Sequence, residues 1–206
     1  MIALRLLGAP SVTTDEFGRE VGGLLARPKR LALFAYLAAS TPSLHTRDKV
    51  ASLFWPEADQ EHARAALRKA VHLLRADLGE SVVLTVGDDQ LGCSSGVWCD
   101  VAEFDKALRV GDLAAALDLY RGDLLPSFFI PDSPGFERWL EEERTSLRAK
   151  AAGAAQGCAK AHEHGSLTEA TRYARLALHY APDDEPTFRW LISLLDQHGD
   201  RAGALR

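Results

Sequence analysis

Five basic side chains stand in the stretch RAALRKAVHLLR: Arg64, Arg68, Lys69, His72 and Arg75. Guanidinium and ammonium groups donate hydrogen bonds and accept none, so such a set suits phosphates, carboxylates or the acceptor edges of bases rather than bond making or breaking. At about 100° per residue from Leu67, the side chains of Ala63, Val71, Leu74 and Leu78 fall within about 40°, an apolar stripe that a helix buries. Arg64, Arg75 and Arg68 lie at about 60°, 80° and 100°, with His72 near about 140° and Lys69 near about 200°. The basic groups therefore run along one flank and round the back of a helix docked by its front. A solvated amphipathic helix has the same composition, so the neighbouring elements decide between the two readings.

Those neighbours follow from local patterns. Residues 2 to 12 alternate apolar and other side chains around Gly8 and Pro10, and TDEFGRE leads towards Val21, which predicts a short strand and hairpin. From Pro28 the period becomes helical through Leu31, Phe34, Ala35, Leu37 and Ala38, and STPS ends it. A second short helix starts at Thr46, whose hydroxyl can cap it, and stops at Phe54 before Pro56. Asp59 is placed to cap the basic helix and Gly79 to end it. Beyond it, SVVLTVGDDQLGC reads as two strands about a turn at Gly87, Asp88 and Asp89, and GVWCD as a further extended piece. Hairpin, three helices, hairpin is the order of a winged helix-turn-helix over residues 1 to 99. The two turn acids stand where a wing often carries a cation, so this wing is read as passive or merely near the groove.

From Asp100 to Arg206 the pattern is almost entirely helical. Gly165 with Ala170 and Gly199 with Ala204 share one spacing, and the two glycines lie 34 residues apart, the period of a tetratricopeptide repeat. Ala177 and Pro182 fit that repeat; Gly111 with Ala116 shows the same local look, with LPSFFIPDSPG (Leu125 to Gly135) as an intervening insertion. Phe136, Trp139, Leu140 and Leu147 form a packed stripe opposite the exposed acids Glu141, Glu142 and Glu143. The expected fold is mainly α with small β: a winged helix-turn-helix, then an all-α repeat domain that needs an end cap. The last residue falls just after a connecting turn, so either a fragment of a longer regulator, truncated at the C-terminus, or a short last helix that packs unusually is expected.

Charge divides along the chain. Residues 27 to 75 hold nine Lys/Arg against four acids, whereas the remaining residues hold 15 basic and 25 acidic side chains within an overall charge of −5. A local cationic region on an anionic protein fits a polyanionic partner for one part only. Lys29, Arg30, Thr46 and Arg47 sit at helix starts, where side chains and backbone N–H groups hold phosphate, and Trp55 reads as an anchor between helices. Cys93, Cys99 and Cys158 have no metal or disulfide spacing and are expected to be reduced and structural. His162 and His164 lie two apart on a helix end and diverge, so neither metal nor cofactor is expected. Phosphate-loop, dinucleotide, zinc-protease and nucleophile-elbow motifs are missing, so no enzymatic activity is expected. With no signal peptide and no long apolar run, a cytoplasmic location away from membranes is expected.

The segment RDKVASLFWPEADQEHARAALRKAVHLLRADLG (Arg47 to Gly79) resembles the DNA-binding half of SARP-type bacterial transcriptional regulators, which carry an OmpR-like winged helix. CDVAEFDKAL, ALDLYRGDLLPSFF and FERWLEEERTSLR resemble their bacterial transcriptional activator domain, with Asp100, Phe104, Tyr120, Gly122, Asp123, Leu125, Phe136, Trp139, Leu140, Glu143 and Arg144 at characteristic places. The resemblance implies sequence-specific binding of double-stranded promoter DNA, side-by-side protomers on direct repeats as a homodimer on DNA, and recruitment of RNA polymerase. It maps the recognition helix onto Ala63 to Leu78 and the polymerase-contact loop onto Trp55 to Asp59, including Glu57. Two other readings compete with this transcription activator. One is a protein scaffold working through the repeats, with a weak or vestigial DNA-binding module; the other is an accessory domain of a larger ATP-dependent regulator.

Overall fold

The computed structural model describes residues 1–14, 19–40 and 44–197. It divides the chain into two compact units, one of Met1–Glu103 with Leu124–Glu143 and one of Phe104–Asp123 with Arg144–Arg206.

In the first unit, β1 (Ile2–Arg5), β2 (Ser11–Thr14) and β3 (Arg19–Glu20) form an antiparallel meander, with the turn residues 15–18 outside the described residues. A short helix α1 (Gly22–Leu25) leads to α2 (Pro28–Ala39), which begins on its proline as expected. Ser40 ends α2 by donating its amide to the Tyr36 carbonyl, and the following residues 41–43 of STPS lie outside the described residues. The periodic stripe understates the burial of α2, because every residue from Leu31 to Leu37 is buried. It runs against α1, α4 (Gln60–Leu78), β6 (Gln90–Cys93) and β7 (Val97–Cys99), and a helix covered on several sides is apolar all round.

Two pairings escape local pattern. β4 (Leu44–Thr46) joins β6 and β5 (Val83–Val86) in a three-stranded sheet of order β4-β6-β5, and β7 pairs in parallel with β1 through Ile2 opposite Val97. The buried Asp100 carboxylate secures that junction by accepting from the amides of Leu6 and Leu7 and from its own neighbour Val101. Burial raises its pKa, and those three donors offset part of the rise.

His45 sits buried in β4, its Nε2 2.6 Å from the Ser40 hydroxyl and its ring 4.7 Å from that of Tyr36. Burial, and secondarily the Lys49 charge, hold its pKa below 6.5. A His whose folded pKa is depressed is bound neutral, so its contribution is complete above 6.5 and declines as pH falls through the folded value. A proton-resolved titration of His45 should therefore have its midpoint below 6.5, with the denaturation midpoint falling over the same range; a midpoint at or above 6.5 contradicts this packing.

The remaining helices are α5 (Asp100–Val110), α6 (Leu113–Leu119), α7 (Pro134–His162), α8 (Leu167–Tyr180) and α9 (Glu185–Gln197). The second unit takes α6, α8, α9 and parts of α5 and α7, and its core joins Ala159, Ala170 and Ala174 to Leu191, Leu194 and Leu195. Gly111 turns the chain at φ 80° between α5 and α6, and Ala116 and Ala170 are buried where close helix packing needs small residues. The second spacing pair, Gly199 with Ala204, lies outside the described residues. The stretch from Leu125 to Ser133 is irregular and α7 begins at Pro134, with the buried Leu125 held at φ 47° while its amide donates to Leu6. The fold is mainly α with small sheets, strands and helices first and a helical domain after.

Candidate nucleic-acid interface

α3 (Arg47–Phe54) and α4 build the candidate interface. Thr46 caps α3 by accepting from the Lys49 amide, and Asp59 caps α4 by accepting from that of His62. The His62 amide also does most to lower the Asp59 pKa. Gly79 ends α4 at φ 106°, a conformation costly to any residue with a Cβ. Ala63, Leu67, Ala70, Val71 and Leu74 are buried, while Leu78, the last residue of the expected stripe, is only half-buried at the helix end.

The flank of α4 opens onto a groove of about 560 Å³ lined by Arg64, Leu67, Arg68, Val71, His72 and Arg75, together with Arg47, Glu80, Asp88 and Asp89. Arg68, Lys69 and His72 are exposed and have no side-chain partner among the described residues. Their donors are available to an outside acceptor. The other two basic groups of the stretch are engaged within the chain. Arg64 forms a two-bond fork with Asp48, which lowers the pKa of Asp48 and raises that of Arg64. Arg75 turns towards β5, donating from Nη2 to the Val83 carbonyl at 2.9 Å and to the Thr85 hydroxyl at 3.0 Å. Its Nε is buried without a partner.

Arg75 is thus a stitch between α4 and the hairpin. Arg75→Ala should lower stability by about 1–2 kcal/mol, the scale of lost part-buried hydrogen bonds. The denaturant midpoint reads this, and an unchanged midpoint would remove Arg75 from the structural role.

The four residues expected to meet phosphate also have internal partners. Lys29 sits over the Trp55 ring at 5.3 Å, and burial, opposed by Asp132, lowers its pKa. Arg30 pairs with Asp77 at 2.6 Å, Thr46 serves as the cap, and Arg47 donates from Nε to the Asp88 carbonyl and from its amide to that of Asp89. Arg47 thereby fixes the turn of the hairpin whose two acids stand on the groove wall. In the loop between α3 and α4, Trp55 is half-buried against Phe54, Glu57 is exposed and Asp59 is the cap. Sequence reasoning counted Asp48 only as a charge and missed it as the partner of Arg64; a separation of 16 positions carries no local signal.

Among the described residues there is no cluster of three metal-capable side chains, and His162 Nδ1 lies 2.8 Å from the Cys158 carbonyl. No described helix is long and apolar enough to cross a membrane. The three cysteines are free, and burial pushes the thiols of Cys93 and Cys99 up to about 12.

The model of the bacterial transcriptional activator domain matches residues 99–206, more than half of the chain. This chain belongs to that family. The SARP-type resemblance of the sequence is borne out. A solved structure, Mycobacterium tuberculosis EmbR in complex with a low-affinity phosphopeptide, has a similar fold over 99% of this chain, with a TM-score of 0.64 and 22% identity. This chain spans 57% of that one. No curated protein matches it. Several of the residues at the characteristic places of the resemblance have structural roles. In the second unit the Tyr120 hydroxyl donates to Asp123, which also accepts a fork from Arg148, and Phe104 is fully buried against Tyr120. Arg148 holds the Asp123 carboxyl below its ordinary range, with Tyr120 adding to the effect. In the first unit Leu125, Phe136 and Leu140 are fully buried.

Proposed function

We propose that this chain is a sequence-specific DNA-binding transcription regulator of the activator-domain family, in which α4 enters the major groove of duplex DNA. α2, α3 and α4 with the β5–β6 hairpin are read as a winged helix-turn-helix of the OmpR-like kind, and the helical hairpins of the second unit as a repeat-type module. The carrying observation is the helix docked by a buried apolar face that presents Arg68, Lys69 and His72 with no side-chain partner among the described residues. The major groove is about 12 Å wide and accepts one α-helix. Lysine acts there mainly as a point charge for phosphate, and arginine as a bidentate donor to guanine.

The reading extends to activation: protomers side by side on direct repeats, the exposed α3–α4 loop with Glu57 towards RNA polymerase, and recruitment by raised local concentration, without catalysis. This activity belongs in the cytoplasm, where the promoter and polymerase are. Glu80, Asp88 and Asp89 on the groove wall favour the competing scaffold reading, because they repel phosphate there.

Selection of bound duplexes from a random pool decides between the two. A recovered site with a halving of the sequence into direct repeats supports promoter binding. Its affinity should fall with salt at a logarithmic slope of about 0.9 per neutralised phosphate. Retention of no duplex at low salt, with polymerase still captured, would establish the scaffold instead.

A further inference from the structure

The Arg64–Asp48 pair faces two ways. Arg64 donates from Nε to Asp48 Oδ1 at 2.6 Å and from Nη2 to Oδ2 at 2.7 Å, and Gln60 Nε2 steadies the same carboxylate at 3.3 Å. A guanidinium is planar and carries five N–H donors, of which this fork uses two along one edge. The end edge, built from Nη1 and the second Nη2 hydrogen, has no acceptor among the described residues. Arg64 lines the groove beside Arg68, whereas Asp48 does not line it and sits behind the guanidinium on α3. The pair is about half exposed on both sides, so an incoming ligand can reach the free edge without breaking the fork.

We propose that Asp48 is a positioning residue that grips one edge of the Arg64 guanidinium and presets the other edge as a fork for the O6 and N7 acceptors of a guanine. This rests on the DNA-binding reading above. An arginine free in solution loses rotamer freedom on meeting a base, and a partner that fixes it beforehand removes that loss from binding. The carboxylate also cancels the local charge, so Arg64 adds little to sequence-independent attraction while keeping its directional donors. Arg68 and Lys69 have no such partner among the described residues and serve phosphate and base alike. Asp48 therefore raises discrimination and lowers indiscriminate binding, two effects of opposite sign on affinity.

The experiment uses the full chain, the duplex recovered from random-pool selection and a scrambled duplex of equal length, with fluorescence anisotropy at fixed salt. Asp48→Asn should tighten the scrambled complex and loosen the selected one, narrowing their ratio roughly tenfold. In an Arg64→Ala background the same substitution should leave the ratio alone. Arg64→Lys, which keeps the charge but not the fork, should narrow the ratio as Asp48→Asn does. Replacing one guanine of the selected site by 7-deazaguanine, tried at each position, should weaken the wild-type complex at a position where it leaves the Arg64→Ala complex unchanged. Equal weakening of both duplexes by Asp48→Asn, an unchanged ratio, or an effect that persists in Arg64→Ala would overturn the positioning role while leaving DNA binding intact. If the wild-type chain retains neither duplex, both the DNA-binding reading and this role fall together.

Discussion

Alanine at position 68 should weaken binding to the preferred duplex by roughly 5- to 150-fold, equivalent to the ~1–3 kcal/mol of a bidentate arginine–guanine contact, and leave the melting temperature unchanged. The two halves of this expectation come from the same fact. Arg68 is exposed with no partner among the described residues, so its truncation removes nothing from the folded chain. The neighbouring arginines differ in kind. Arg75 holds β5, and Arg64 is clasped by Asp48, so alanine at either position also disturbs internal contacts. Anisotropy against selected and scrambled duplexes, alongside a melting curve, separates the cases. If Arg68→Ala binds both duplexes as the wild type does, α4 is a solvated helix and the assignment fails.

These distinctions mark the limit of what the sequence displays. The course of α4, its cap at Asp59, its stop at Gly79 and its buried stripe were legible, because periodicity, capping chemistry and glycine's positive φ are local matters. The basic flank was legible for the same reason. What each cation touches was not. Asp48 with Arg64, Asp77 with Arg30 and the Val83 carbonyl with Arg75 are joined by tertiary packing across 16, 47 and 8 residues. Of the basic groups read as one face, the structure leaves Arg68, Lys69 and His72 outward and gives the others work inside the protein. The parallel pairing of β1 with β7 and the short β4 are non-local in the same sense. His45, a polar residue in a three-residue strand, offered no alternation to read.

Phe136→Ala should cost about 3–5 kcal/mol, the range for emptying a phenylalanine site in a core that relaxes only in part. Phe136 is fully buried, with ring centroids 5.2 Å from Phe54, 5.4 Å from Trp139 and 6.3 Å from Phe128. Its position lies within the family match, yet its contact with Phe54 places it in the same compact unit as α3 and α4. Phe54 closes α3, its carbonyl accepts from the buried Ser133 hydroxyl at 3.0 Å, and Tyr36 of α2 packs edge-on against its ring. The cavity therefore opens under the end of the helix that supports α4. Because a loss of that size is a large part of a domain's stability, the denaturation midpoint should drop steeply, and duplex binding should fail at temperatures the wild type tolerates. Phe129→Ala is the matched control: the residue is 63% exposed, and its loss should move stability by no more than about 0.5 kcal/mol. Were Phe136→Ala to melt with the wild type, the aromatic cluster would be packing without holding, and Phe136 would have no part in sustaining the unit that contains α3 and α4.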